Sequence, residues 1–227
     1  MLRKLLLVCG ALASLLYVGI DVLAAIRYPE YQSFTSRAIS ELMASGAPTE
    51  RLVDPLFLLY DVLMMAFGVG VWMSGREKRV HIAGGLLIGY AAIGLLGPTV
   101  FEMNVRGSGG DPTADILHIA VTMVLALVIF ASVGFGASIR GRRFRLYSFA
   151  TAVVMLAFGV LSGLAAGGIG SAEPTPWLGV VERIDIGAFL LWVVVFAISL
   201  WRVQGLDDPR ERKSFGHDMP ARALPAK

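Results

Sequence analysis

Long apolar blocks separated by short charged clusters set the pattern of this chain. An α-helix needs about 20 residues to cross about 30 Å of hydrocarbon. Six stretches have that length: Leu5 to Ile26, Pro55 to Met73, Ile82 to Phe101, Ile116 to Ile139, Phe149 to Ile169 and Ile184 to Trp201. The pattern predicts an all-α polytopic membrane protein, with a six-transmembrane-helix bundle over residues 1–202. The tail, residues 203–227, carries three prolines among charges and no apolar periodicity, which predicts disorder in the cytosol. Arg3 and Lys4 precede the first stretch as they would a signal peptide. Its apolar run is longer than a signal core, however, and Val22-Leu23-Ala24 is no small-x-small cleavage site, so a retained span is expected.

Boundary residues add detail. Asp54-Pro55 and Asp111-Pro112 each place an acceptor before a proline, predicting helices that start at the proline with the aspartate as N-cap. Gly85 with Gly89, and Gly159, Gly163 and Gly167, form ridges of small residues that let helix backbones approach. Packing inside the bundle is the first reading of the second ridge, and a helix–helix dimer through Gly159, Gly163 and Gly167 is the other. The longest connection, Arg27 to Asp54, contains Phe34, Ala38, Ile39, Leu42 and Met43 on one helical face and Ser36, Arg37, Ser40 and Glu41 on the other. It predicts a short amphipathic helix lying on the bundle in the first outer loop.

Positive residues are retained on the cytoplasmic side, which fixes the orientation. With the N-terminus inside, only Arg27, Arg37, Arg51, Arg106 and Arg183 of the 20 Lys and Arg face outward. Both termini are therefore expected in the cytoplasm. Composition agrees with the membrane reading, since 56% of residues are hydrophobic and 16% charged, against about a quarter charged in a soluble domain. The net charge of +3 does not point to nucleic acid, because the basic residues alternate with apolar blocks. Cys9 lies within an apolar run and reads as a core residue.

Ionisable groups inside a bilayer are costly, so each is a candidate site residue. Asp21, Asp61, Glu102, Asp115, His118, Glu182, Arg183 and Asp185 all fall in the outer half, which predicts a polar pocket open to that side. Asp115 and His118 share a helix face, so the carboxylate is placed to orient the imidazole. Arg183 needs a carboxylate from another segment, and Asp61, Asp21 and Glu41 are the candidates. The predicted ligand-binding set is Ser40, Glu41, Asp61, Asp115, His118, Glu182 and Arg183.

At these residues the sequence resembles a bacterial integral membrane family known as the domain of unknown function 998. The likeness lies in Ile39-Ser40-Glu41-Leu42 and Gly46-Ala47-Pro48, in Phe101 to Gly107, in Asp115 with His118, and in Glu182-Arg183. Met43 and Glu102 depart from the family pattern. The resemblance implies six helices and a bacterial inner membrane, and no established activity.

Function classes follow from the residues. A zinc site needs converging histidines, but His81 and His217 fall on the side opposite His118, so no metal or cofactor is expected. A lipid-directed hydrolase or transferase would need Ser36 or Ser40 beside His118. A proton-linked transporter would need polar access from both sides, and the inner half offers none. The favoured reading is a non-catalytic pocket for a membrane lipid headgroup or small polar ligand, with Arg37, Arg106 and Arg183 beside carboxylates suiting a zwitterion.

Overall fold

The computed structural model describes residues 1–169 and 173–206. Its elements are α1 (Leu2–Arg27), α2 (Glu50–Trp72), α3 (Lys78–Gly94), a short α4 (Gly97–Val100), α5 (Pro112–Ala137), α6 (Arg142–Ala165) and α7 (Leu178–Leu206), with 3-10 turns at Ser40–Met43 and Ala166–Gly168. Among the described residues six helices, counting α3 and α4 as one, are long and apolar enough to cross a membrane. The protein is thus a multi-pass, all-α integral membrane protein. Most helices begin a turn or so before the expected apolar stretch, because residues such as Glu50-Arg51, Lys78-Arg79 and Arg142-Arg143 continue the helix where the bilayer edge accepts charge. α7 runs on to Leu206, and residues 207–227, with His217 and most of the expected disordered tail, lie outside the described residues.

The six helices close a ring in the order α1, α2, α3, α5, α6, α7, each packing on the next and α7 returning to α1. Aromatic side chains fill its centre. Trp192, Phe189 and Phe196 of α7 and Phe67 of α2 are among the largest fully buried side chains. Phe67 meets Phe196 edge-on at 6.3 Å and Phe189 meets Tyr90 at 5.6 Å, the offset geometry aromatic pairs prefer. The Trp192 indole donates to Ser148 Oγ at 2.9 Å, which satisfies its one polar atom.

Association inside lipid depends on close packing rather than on escape from water. α2 and α3 achieve it at two glycines: a Cβ on Gly84 would lie 2.7 Å from the backbone nitrogen of Trp72 and 2.8 Å from the Gly68 carbonyl. The predicted ridges are used unevenly. Gly85 rests on the Trp72 ring and Gly159 looks toward the Asp185 carboxylate, whereas Gly89, Gly163 and Gly167 face open space.

The two aspartate–proline starts behave differently. Asp111 caps α5, accepting the Thr113 N–H at 2.9 Å, a bond that holds its carboxyl below the usual range. Asp54 does not cap α2, which begins at Glu50 with Thr49 as N-cap and carries Pro55 inside. The preceding turn is already fixed: Glu50 accepts the Gly46 N–H at 2.6 Å and Thr49 Oγ1 donates to the Leu42 carbonyl at 2.7 Å. The helix therefore starts one turn early, and Asp54 Oδ1 is left buried without a partner.

Replacing Gly84 by valine forces α2 and α3 apart and is expected to cost about 1–3 kcal/mol. Gly89→Val, in open space, should cost far less. Thermal unfolding of both variants in detergent checks this, and equal melting would show that the two backbones do not touch at Gly84.

Candidate functional site

Three connections gather on one side of the ring, described over residues 28–49, 101–111 and 173–177. On this cap side the first connection folds over the helix ends. Of the predicted apolar face Ala38, Ile39 and Leu42 are buried and Met43 half-buried, but Phe34 is exposed, and Glu41 of the polar face is buried, at 0% exposure. The expected helix from Phe34 to Met43 accordingly narrows to the 3-10 turn Ser40–Met43. The reason is the Glu41 carboxylate, which accepts the Ala38 N–H at 2.9 Å, Arg37 at 3.0 Å and a two-pronged contact from Arg106 at 2.9 and 2.6 Å. A regular surface helix would point that carboxylate at solvent and forfeit those bonds. The hydrogen bonds with Glu41 in turn raise the Arg106 pKa. Tyr31, whose pKa burial raises, stays a phenol and donates to the Glu41 carbonyl at 2.9 Å.

A second ion pair lies beside the first. Arg183 of α7 grips Asp21 of α1 through Nε to Oδ2 at 2.8 Å and Nη2 to Oδ1 at 2.7 Å. The Gln32 amide also donates to Asp21 Oδ1. The remaining Arg183 nitrogen donates to the carbonyls of Arg37 and Gly179, both at 2.9 Å, and its guanidinium lies over the Phe34 ring. Glu182, one residue back, accepts the Ile39 N–H at 2.8 Å. Two features of the α7 entry make this reach available. Trp177 takes a left-handed φ of 72° just before the helix. Gly179 then donates its N–H to the Thr35 carbonyl at 3.0 Å. A Cβ on Gly179 would lie 2.6 Å from the Phe34 carbonyl and 2.7 Å from that of Arg37.

The network combines three acids, Asp21, Glu41 and Glu182, with three arginines, Arg37, Arg106 and Arg183. At its edge a cleft of about 330 Å³ opens between the three connections, lined by Ser36, Arg37, Arg106, Glu173, Pro174, Thr175 and Pro176. Arg106 donates from Nη1 to the Glu173 carbonyl at 3.2 Å, and Thr175 Oγ1 donates to the Ser36 carbonyl at 2.8 Å, so both walls are tied together.

Of the sequence-predicted residues, the structure joins Glu41, Glu182 and Arg183 through the segment from Phe34 to Glu41, with Ser40 beside Glu41 in the same turn. Asp115 and His118 turn elsewhere. Asp115 accepts the Asn104 N–H at 2.8 Å and His118 Nδ1 donates to the Phe101 carbonyl at 2.7 Å. Their shared face therefore staples the 101–104 strip instead of pairing carboxylate with imidazole. That strip reaches the cap through Ser45, whose N–H donates to the Met103 carbonyl at 2.9 Å. Ser36 Oγ bonds Ser33 Oγ at 3.0 Å, and neither Ser36 nor Ser40 hydrogen-bonds His118. Asp61 lies deeper, buried against Gly94 of α3, with no hydrogen-bond or ion-pair partner among the described residues.

Of the three candidate partners for Arg183, the structure uses Asp21. Gln32 and Gly179 carried no sequence signal of their own: Gln32 is an uncharged loop residue, and the need for glycine at 179 comes from a carbonyl supplied by a segment 140 residues away.

Arg183→Ala leaves Asp21 unpaired in a buried position and is expected to destabilise the fold by about 3–5 kcal/mol. A double replacement, Asp21→Leu with Arg183→Met, removes both charges and should recover most of that loss. Melting temperatures of the two variants in the same detergent decide the matter; a double variant no better than the single one would show that the pair is not the source of the effect.

No curated protein and no solved structure matches the chain. Residues 11–199 match a family model described as a protein of unknown function, DUF998. That match takes in four spans whole, most of the first and last, and every residue of the network just described, so the chain belongs to the DUF998 family.

Proposed function

We propose that this protein binds a lipid headgroup or small polar ligand in the cleft beside Arg37 and Arg106, on the outer face of a bacterial inner membrane with both termini in the cytoplasm. The cleft carries this reading. Two guanidiniums border it, yet both are held by one buried carboxylate, Glu41, which leaves one uncompensated positive charge on the Arg37–Arg106 wall of the opening. Arginine in this arrangement suits phosphate or carboxylate, because its planar fork keeps donors in fixed directions. The low exposure of Glu41 means the arginines are prepositioned before any ligand arrives, which lowers the ordering cost of binding.

The orientation rests on the basic residues. Arg76, Lys78 and Arg79 lie at the α2–α3 turn and Arg140, Arg142 and Arg143 at the α5–α6 turn, opposite the cap. Positive residues of this density belong on the cytoplasmic side.

Arg37 is the residue to test, since Glu41 keeps Arg106 and the Ala38 N–H when Arg37 is lost. Arg37→Gln is expected to melt close to wild type and to bind phosphate-bearing lipid about tenfold more weakly, as loss of one charge-assisted contact implies. Lipid phosphorus retained per protein after detergent purification is the readout, and unchanged retention would count against the cleft. For orientation, cysteines at Ser45 and Ser108, both exposed on the cap side, should react with an impermeant thiol reagent in intact cells when Cys9 is replaced by serine. A cysteine at Arg76 should react only after lysis, and the reverse pattern would invert the protein.

A further inference from the structure

Beneath the arginine cleft, facing stripes of α5, α6 and α7 lose burial toward the cap. Along α5, one face runs through Val133, Ile129, Ala126 and Thr122, and it passes from buried at the first two to exposed at the last two. On α6 the stripe Thr151, Met155, Gly159, Gly163 does the same: two buried residues, one half-buried, one exposed. On α7, Trp192 and Phe189 are buried, while Ile186 and Asp185, one turn nearer the cap, are half-buried. At the far end the three helices are closed together, with Gly136 of α5 flat against the Trp192 ring. From the α5–α6 turn toward the cap these stripes become progressively more exposed, although Gly159 of α6 still faces the Asp185 carboxylate of α7. The most apolar stretches of α5 and α6 are also the least buried of the six, with 17% and 11% of their residues buried against 33–39% in the other four.

The roof of this wedge is the charged cleft. Arg106 stands in the connection that enters α5 and Glu173 in the one that leaves α6, so the bond from Arg106 to the Glu173 carbonyl crosses the open end. Charges around the cleft balance. Arg37 and Arg106 together outweigh Glu41 by one positive charge. Glu173, exposed at the rim, supplies one carboxylate with no ion pair among the described residues. A positive and a negative group side by side over a slot that is apolar apart from Asp185 and two threonines match a dipolar headgroup on an acyl chain.

We infer that the wedge between α5, α6 and α7 holds one acyl chain of a zwitterionic phospholipid drawn sideways from the adjoining leaflet, its phosphate against Arg37 and Arg106 and its ammonium against Glu173. A purely anionic lipid fits less well, because its headgroup would place negative charge beside Glu173. This inference rests on the cleft being a headgroup site, and its test separates the two.

The full-length protein is purified from mixed phosphatidylethanolamine and phosphatidylglycerol bilayers, and retained lipid is measured by mass spectrometry. Wild type should be enriched in phosphatidylethanolamine, and Glu173→Gln should lose that preference. Ala126→Trp and Gly163→Trp place bulk into the open wedge and are expected to lower retention about tenfold without loss of melting temperature. Val124→Trp, on the opposite exposed face of α5, should retain lipid like wild type. If Arg37→Gln lowers retention while both wedge variants keep it, the acyl-chain site is overturned and the cleft stands alone. If Arg37→Gln has no effect, both readings fall. Equal retention of the two lipids by wild type, or equal loss with Val124→Trp, also overturns the inference.

Discussion

A charge at the edge of a bilayer is tolerable only when another charge or a set of hydrogen-bond donors meets it, and the cap side of this protein is organised around that requirement. Asp21 sits in the last third of α1 at 7% exposure and Arg183 in the second turn of α7. Their two-pronged contact ties the first helix to the last and so closes the ring. Because Arg183 also donates to the Arg37 and Gly179 carbonyls, the same guanidinium sets the path of the first connection over the bundle. The course of residues 33–41, the position of Glu41 and the placement of Arg106 all follow from it.

Such an arrangement contributes specificity more than net stability. Desolvating an ion pair costs nearly as much as the pair returns, and apolar replacements of both partners are often neutral. What the pairs supply here is a unique register. Glu41 has one place where it meets Ala38, Arg37 and Arg106 together, and the segment adopts a single 3-10 turn to put it there. The arginines that border the cleft are fixed as a consequence.

The membrane half of the molecule follows a different logic. α1, α2, α3 and α7 pack tightly through glycine approaches and an aromatic centre, while α5 and α6 leave much of their surface to lipid. Lipid chains pack against leucine and valine about as well as another helix does, so nothing in the apolar sequence of α5 and α6 forces them together along their length. Their cap-side halves are held instead by the connections above them, through Asp115 and His118 on one side and the bond from Arg106 to the Glu173 carbonyl on the other.

The helices were legible in the sequence because apolar length alone decides whether a segment can cross a bilayer, and the charges outside the spans mark the ends. That one side of the bundle is polar was legible for the same reason: Asp21, Glu182 and Arg183 are conspicuous inside apolar runs. Which acid meets which base was not, since several carboxylates shared one depth and only the packing of α1 against α7 brings Asp21 to Arg183. The start of α2 was misread at Asp54-Pro55 because a local capping signal was outweighed by bonds from Glu50 and Thr49 to the preceding loop. Glu41 lay on the polar face of its helical wheel, and became buried because Arg106, supplied from 65 residues away, brings the charge that makes burial tolerable. Local sequence thus determined where the chain enters and leaves the membrane; which polar groups pair was decided by the tertiary structure, because pairing depends on distances between segments that no local pattern records.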